Sequence, residues 1–536
     1  MANKLRDVFF LILFVATIVV NLFISSYAFR NGDPTLLYVP LDTDALACGI
    51  DFPARPVLFF PDQLDFSHSI CIEECPTTNS TTEIDGTTIH LYPTSNIFDR
   101  CLSPSMIKPF ADYFGGDFLH KTLIGLRGSS SVLVESLFLT IFLSFTTLLL
   151  LNFTASFIVY ILIGAVYVAA WMITIKLHND SRDTNASNKQ FYLSMAAWLG
   201  LLILTISLII CRKAIRLSIT LIKQARNALK AMPSLFLAPI LTWSLLVCFL
   251  VFYAVPSVAG YYSTGEFNYE DGKRSFDFSR HTQFLLGFHF FFMTWIIAYL
   301  FALTTASIAA SISGWWTHNS SLPFNWIQKM GKISLFNTGS LAFGSFLVAL
   351  LAIFKGIVRF IYARTRNIAN RPGISIFSKI LFCLVSCMEK GVKYLNRNVY
   401  ILIGIGNYSF FSAAGKAMGL LCSNIRRSFT LNFILGTLLF ILKIGISSFS
   451  TWMVSLRIKD EVAAGFETVL VACFLISFII ASIVFSVFSI IVETLFLSFL
   501  IEEGSAQFGI LSRRNLLFKS DVVDGLGSPV AQDVTM

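Results

Sequence analysis

Long apolar runs separated by short polar connections dominate this chain. The runs cover Val8–Phe29, Val132–Leu151, Phe153–Ile175, Phe191–Cys211, Leu235–Val255, Phe284–Ser311, Gly339–Val358, Phe429–Met453 and Thr468–Glu493. Each is long enough to carry a helix across a hydrocarbon core of about 30 Å. None shows the short period-two alternation of a membrane β-barrel strand. The pattern predicts an all-α polytopic membrane protein with about ten transmembrane helices. Nine of these are the runs above. Between 359 and 428 basic residues interrupt the apolar pattern. A tenth crossing inside 374–413 would return the chain to the side on which it began. The second and third runs read as a tight hairpin.

One polar stretch breaks the rhythm. Residues 30–131 hold Cys48, Cys71, Cys75 and Cys101. Four cysteines in one polar loop read as two disulfides, and disulfides persist on the oxidising side of a membrane. Four cysteines allow three pairings. Cys71 and Cys75 are too close in sequence to staple much together, so each is expected to take a distant partner. The division that follows is a cytoplasmic N-terminus at 1–7, a first transmembrane helix at 8–29, an extracellular loop at 30–131, a transmembrane bundle at 132–500 and a cytoplasmic tail at 501–536. The first run is too long for a signal-peptide core and lacks a small-residue cleavage site, so it reads as a retained anchor.

Charge agrees with that orientation. Lys4 and Arg6 precede the first run. Arg212, Lys213, Arg216, Lys223, Arg226 and Lys230 follow the fourth, on the side the count makes cytoplasmic. Ile215, Ile219 and Ile222 recur there at helical spacing, which suggests a helix lying along the membrane interface. Two glycosylation sequons, at Asn79 and Asn185, fall outside on this count and are expected to be used. Those at Asn319 and Asn407 fall on or near the cytoplasmic side and are not.

Composition supports a membrane solvent. Charged residues make up 13% of the chain and mean hydropathy is +0.72, against about a quarter charged in soluble domains. The formal net charge of +9 fits loops beside anionic lipid better than nucleic-acid binding. No phosphate-binding loop, metal-ligand spacing or catalytic constellation is present, so neither an enzyme nor a cofactor site is expected. Cys383 and Cys387 lie four apart with no His nearby, which fits lipidation or burial.

Ionisable groups inside the runs are few. They are Glu135, His289, Lys355, Lys443 and Glu493; Glu493 is expected to cap or pair at the cytoplasmic edge. Trp295 and Tyr299 share one helical face, with His289 before them and Thr305 further on. Aromatic faces suit a quaternary ammonium, which offers no N–H to a hydrogen-bond acceptor. Trp and Tyr also serve as packing and interface residues; should Trp295 only pack, Trp171 and Trp243 are the next candidates for such a cage. Ala306, Ala310 and Gly314 form a small-residue seam for close helix contact.

Several stretches carry a family resemblance in order along the chain: "RDVFFLILFVAT", "ACG" followed by "CIEECP", "FHFFFMTW" with "GWWT", "TGSLAFGSF", "CMEKGVKYLNRNVYILIGIGNYSFFSAAGKA" and "IIASIVFSVFSIIVETLFLSFLIEE". Together they make the chain resemble the choline transporter-like family. The resemblance implies ten transmembrane helices, both termini in the cytoplasm, and choline with ethanolamine as transported solutes that supply phospholipid head groups. It implies no sodium coupling, with proton exchange as a candidate. It implies a substrate site at Trp295, Tyr299, His289 and Thr305 in a multi-pass protein of the plasma membrane, with internal membranes as a further location. The chain departs from relatives at Ala298, where they often carry a polar residue, at Thr305, where they carry Gln, and at Glu493, commonly Asp. The competing reading is a membrane receptor or scaffold that acts through its extracellular loop.

Overall fold

The computed structural model of the chain describes residues 5–31, 40, 42–43, 46, 48–62, 68–84, 87–97, 99–103, 130–182, 188–262, 266–270, 273–277, 280–318, 325–367, 372–456 and 466–507. Twelve α-helices run through these residues. They are α1 (Val8–Asn31), α2 (Ser130–Asp180), α3 (Asn188–Ala231), α4 (Leu237–Phe249), α5 (Val255–Tyr262), α6 (Arg280–His318), α7 (Asn325–Phe336), α8 (Thr338–Asn367), α9 (Pro372–Gly406), α10 (Phe410–Ser423), α11 (Ile425–Ser455) and α12 (Phe466–Gln507). A 3-10 turn at Pro233–Phe236 leads into α4, and a π-helical turn at Leu250–Ala254 joins α4 to α5. Helices are what a hydrocarbon solvent demands, because each one satisfies its own backbone polar groups.

Nine helical stretches among the described residues are long and apolar enough to cross a membrane. They correspond to the nine runs of the sequence. Two of them share α2, which corrects the expected hairpin. Residues 130–180 form one helix of 51 residues, about 76 Å at 1.5 Å per residue. No Gly or Pro stands between Ser130 and Ile163 to break it. The basic segment after Cys211 is corrected too. It continues α3 without a break to Ala231 and buries Ile215, Ile219 and Ile222 in the bundle core rather than along the interface.

Helix α9, 35 residues long, covers much of the segment where the sequence placed its doubtful crossing, but it is not among the nine stretches apolar enough to cross by composition. It runs antiparallel beside α8 over nearly its full length. Asn396 Nδ2 donates to the Gly344 carbonyl at 2.8 Å, Lys355 pairs with Glu389 at 2.7 Å, and Tyr362 stacks on Phe382. Its charges kept the segment from reading as a span. Glu389 is held by both Lys355 and Lys393, so two of its neighbours neutralise it within the bundle. The Ala306–Ala310 seam of α6 receives α9 closely. A Cβ on Gly404 would fall 2.3 Å from the Ala306 carbonyl oxygen, so only glycine fits.

Each described end of the chain is tied to the bundle by polar contacts. Before α1, the Asp7 carboxylate accepts from the Ser340 hydroxyl (2.6 Å) and from the Phe410 amide (2.7 Å), at the starts of α8 and α10. A carboxylate suits these positive helix ends. At the other terminus, Glu503 pairs with Arg427 of α11 and Glu502 accepts from the Trp316 indole of α6. The far end of α1 meets α5, where Gly260 packs on Ala28.

The loop after α1 carries a small sheet. Its strands are β1 (Val57–Phe59), β2 (Ile70–Ile72), β5 (Ser95–Ile97) and β6 (Arg100–Leu102), in the order β2-β1-β6-β5, with β1 and β6 parallel. A hairpin of β3 (Ser80–Ile84) and β4 (Thr87–Leu91) lies apart from it. Disulfides join Cys48 to Cys71 and Cys75 to Cys101, so each central cysteine takes a distant partner. Phe59, fully buried, centres the sheet's own core. Burial pushes the Tyr92 phenol pKa up, with the charge of Asp62 adding to it. Asn79 is exposed just before β3, whereas Asn185 and Asn319 lie outside the described residues. A second hairpin, β7 (Glu266–Glu270) with β8 (Lys273–Asp277), connects α5 to α6.

Candidate functional site

The face shared by α1, the π turn and α6 holds a buried polar chain. Asn21 and Ser25 lie four apart on α1, and seven residues separate Asn21 from Phe14, so all three share a face. Tyr253 comes from the π turn, a distortion often found at functional sites. His289 comes from α6 and is fully buried, as are Asn21 and Ser25.

The direction of the hydrogen bonds follows from donor counts. Tyr253 donates its single hydroxyl proton to Asn21 Oδ1. Ser25, 2.9 Å from the same phenol oxygen, must therefore donate to it. The Asn21 amide nitrogen can only donate, so at 3.3 Å it makes His289 Nδ1 an acceptor. His289 is thus neutral, with its proton on Nε2. Its ring also interacts with the backbone of Ala254 in the π turn. The chain runs Ser25 to Tyr253 to Asn21 to His289, every donor pointing toward the imidazole.

About two to three turns further along α6 lies an aromatic box. Trp295 and Tyr299 are buried side by side, as their spacing predicts. Phe14 of α1 touches both, at ring-centroid distances of 5.2 and 4.7 Å. Phe346 of α8 packs on Trp295 at 5.1 Å and Phe291 at 5.7 Å. Both polar handles are engaged within the protein. The indole Nε1 donates to the Ala342 carbonyl at 3.0 Å. Thr338 donates its own hydroxyl proton to Ser334, so the Tyr299 phenol donates to Thr338 at 3.0 Å. What these two residues present to each other and to any guest is ring surface. The box is closed, and its α1 wall is a single phenylalanine.

Thr305 is not brought to the box. Its hydroxyl returns to the Phe301 carbonyl of its own helix at 2.8 Å. Trp171 pairs with Trp198, and Trp243 with Phe301, both away from the box. Phe14, Asn21, Ser25, Tyr253 and Phe346 went unnoticed in the sequence. An amide inside an otherwise apolar first run, seven residues after a phenylalanine, was the available signal. Glu493 is buried and pairs with Arg397 of α9 at 2.6 Å, and it accepts from Ser489 of its own helix. Among the described residues no group of three or more His, Cys, Asp or Glu side chains could hold a metal ion.

Fold and site together define a multi-pass helical membrane protein with a buried polar and aromatic site between its first and sixth helices. The family model for plasma-membrane choline transporters matches residues 195–504, and the chain belongs to that family. It is 25% identical to choline transporter-like protein 2 of Dictyostelium discoideum over 98% of this chain and 95% of that protein. Choline transporter-like protein 1 of Xenopus laevis is 23% identical over 93% and 89% of the two chains. Choline transporter-like protein 2 of Bos taurus is 31% identical over 56% of this chain and 49% of its own length.

Proposed function

We propose that the protein carries choline across the plasma membrane, and ethanolamine with it, through the face between α1 and α6. The observation that carries this reading is the aromatic box. Its two polar handles are tied to Ala342 and Thr338, leaving ring faces for a guest. A quaternary ammonium needs no hydrogen-bond acceptor and is attracted to the negative faces of Trp and Tyr. Phe14 is the wall that would yield, since α1 lies at the margin of the bundle. Family membership and the names of the relatives support the same substrate.

The polar chain gives that site a route to proton exchange. Protonation of His289 places a proton on Nδ1, which can then no longer accept from Asn21. The Asn21 amide must turn its oxygen to the ring. Tyr253 then accepts from the amide nitrogen and donates to Ser25. Every hydrogen bond is kept, with its direction reversed. Choline in the box and an imidazolium above it would repel in a site of low dielectric. Occupancy by one cation therefore disfavours the other, which is the condition for exchange.

Uptake of radiolabelled choline into proteoliposomes, with an acidic lumen and without, tests the coupling. Outward proton movement is expected to accelerate choline entry for the wild type. His289→Gln is expected to keep basal uptake and lose the acceleration. Equal acceleration in the variant would show that His289 does not carry the proton.

A further inference from the structure

Helices α9 and α11 both pack on α12 but make no extended contact with each other among the described residues. The gap is a groove with α12 as its floor. Polar groups line it, all but Glu493 of the floor exposed or half-buried. The α9 wall carries Lys390, Lys393, Tyr394 and Arg397, at helical spacing on one face. On the α11 wall stand Asn432 and Lys443. Ser486, Ser489 and Glu493 form the floor. Walls and floor are already tied together. Asn432 donates to the Tyr394 phenol at 2.7 Å, and Arg397 reaches Ser489 at 2.9 Å.

Charge is not balanced there. Glu493 takes Arg397, and Glu389 takes Lys355 and Lys393. Lys390 and Lys443 have no carboxylate partner among the described residues. A lysine on α11 points its side chain toward the helix N-terminus, which is the end where Arg427 meets Glu503. Large apolar side chains flank the cations on α11: Phe429, Phe433 and Phe440 are all exposed. An unneutralised cationic groove walled by apolar surface inside a membrane protein fits an amphiphile with an anionic head. It is ill suited to choline, which carries the same sign of charge as its walls.

We infer that the groove between α9 and α11 binds an anionic glycerophospholipid, its phosphate held by Lys390 and Lys443 and its acyl chains along the α11 phenylalanines. The site is separate from the transport site and stands without it. Native mass spectrometry of the full-length protein in detergent, titrated with phosphatidylglycerol or phosphatidylcholine, tests it. Phosphatidylglycerol is expected to bind more tightly than phosphatidylcholine. The double variant Lys390→Gln/Lys443→Met is expected to weaken it about thirtyfold, roughly fivefold per lysine, while Lys332→Gln outside the groove leaves it unchanged. Retained choline uptake would show that the double variant is folded. Equal binding of both lipids, or undiminished binding to the double variant, overturns the inference. Full displacement of the lipid by inorganic phosphate alone would overturn it as well, by showing a free-anion site.

Discussion

At His289 a single donor decides the chemistry. The Asn21 amide nitrogen has no lone pair to offer, so it forces Nδ1 to accept and fixes the tautomer. Tyr253 is the joint of that chain, because it links α1 to the π turn and can point either way. Tyr253→Phe leaves the buried Ser25 hydroxyl and Asn21 oxygen without this partner. It is expected to cost about 1–3 kcal/mol of stability and to abolish the pH response of choline uptake. Thermal unfolding and uptake of the same preparation check both effects, and an unchanged pH response would separate the chain from coupling. The sequence showed His289, Trp295 and Tyr299 because ionisable and aromatic residues stand out in an apolar run. It did not show Asn21 or Tyr253 as their partners. Those lie 268 and 36 positions from His289, and only packing of α1 and the π turn against α6 brings them together. Thr305 illustrates the converse. The family resemblance suggested a site residue, and in the fold its hydroxyl is satisfied on its own helix backbone.

Among elements, legibility depended on what the period of the pattern can distinguish. Apolar runs located the helices well, because length and hydropathy decide insertion. They could not say whether two adjoining runs turn or continue, and α2 continues with no Gly or Pro between Ser130 and Ile163 to break it. Nor could they show whether the amphipathic half of α3 would face lipid or the protein core, since either neighbour is apolar. Helix α9 was obscured by its own charges, of which Glu389, Lys393 and Arg397 are paired within the bundle. Its seat on α6 requires glycine. Gly404→Val is expected to destabilise the protein by about 1–3 kcal/mol through overpacking, read as a lower midpoint of thermal unfolding; a wild-type midpoint would place the close contact elsewhere. In the loop, the two disulfides close segments 23 and 26 residues apart in sequence. Replacing Cys75 and Cys101 with Ser is expected to cost the loop about 3 kcal/mol, seen as faster limited proteolysis of residues 48–103. Choline uptake should persist in that variant, whereas a receptor acting through its loop would lose its function.

For the molecule as a whole, the positive charge flanking the runs makes a cytoplasmic placement of both termini the expectation. With the loop on the opposite side, Asn79 is expected to carry a glycan in a eukaryotic host and Asn407 none. Peptide mapping after glycosidase treatment checks this, and a glycan on Asn407 would invert the orientation. The central claim is that a cationic solute passes through the Phe14–Trp295–Tyr299 box. A cation–π contact contributes about 0.5–2 kcal/mol, roughly two- to thirtyfold in affinity. Phe at position 295 keeps a π face and Ala removes it, and both lose the hydrogen bond to Ala342. The most direct test is therefore the concentration dependence of choline uptake by purified wild type, Trp295→Phe and Trp295→Ala in proteoliposomes, normalised to folded protein. The half-saturating choline concentration should rise modestly for Phe and up to about thirtyfold for Ala. An unchanged half-saturating concentration in the Ala variant would show that Trp295 only packs and that choline crosses elsewhere.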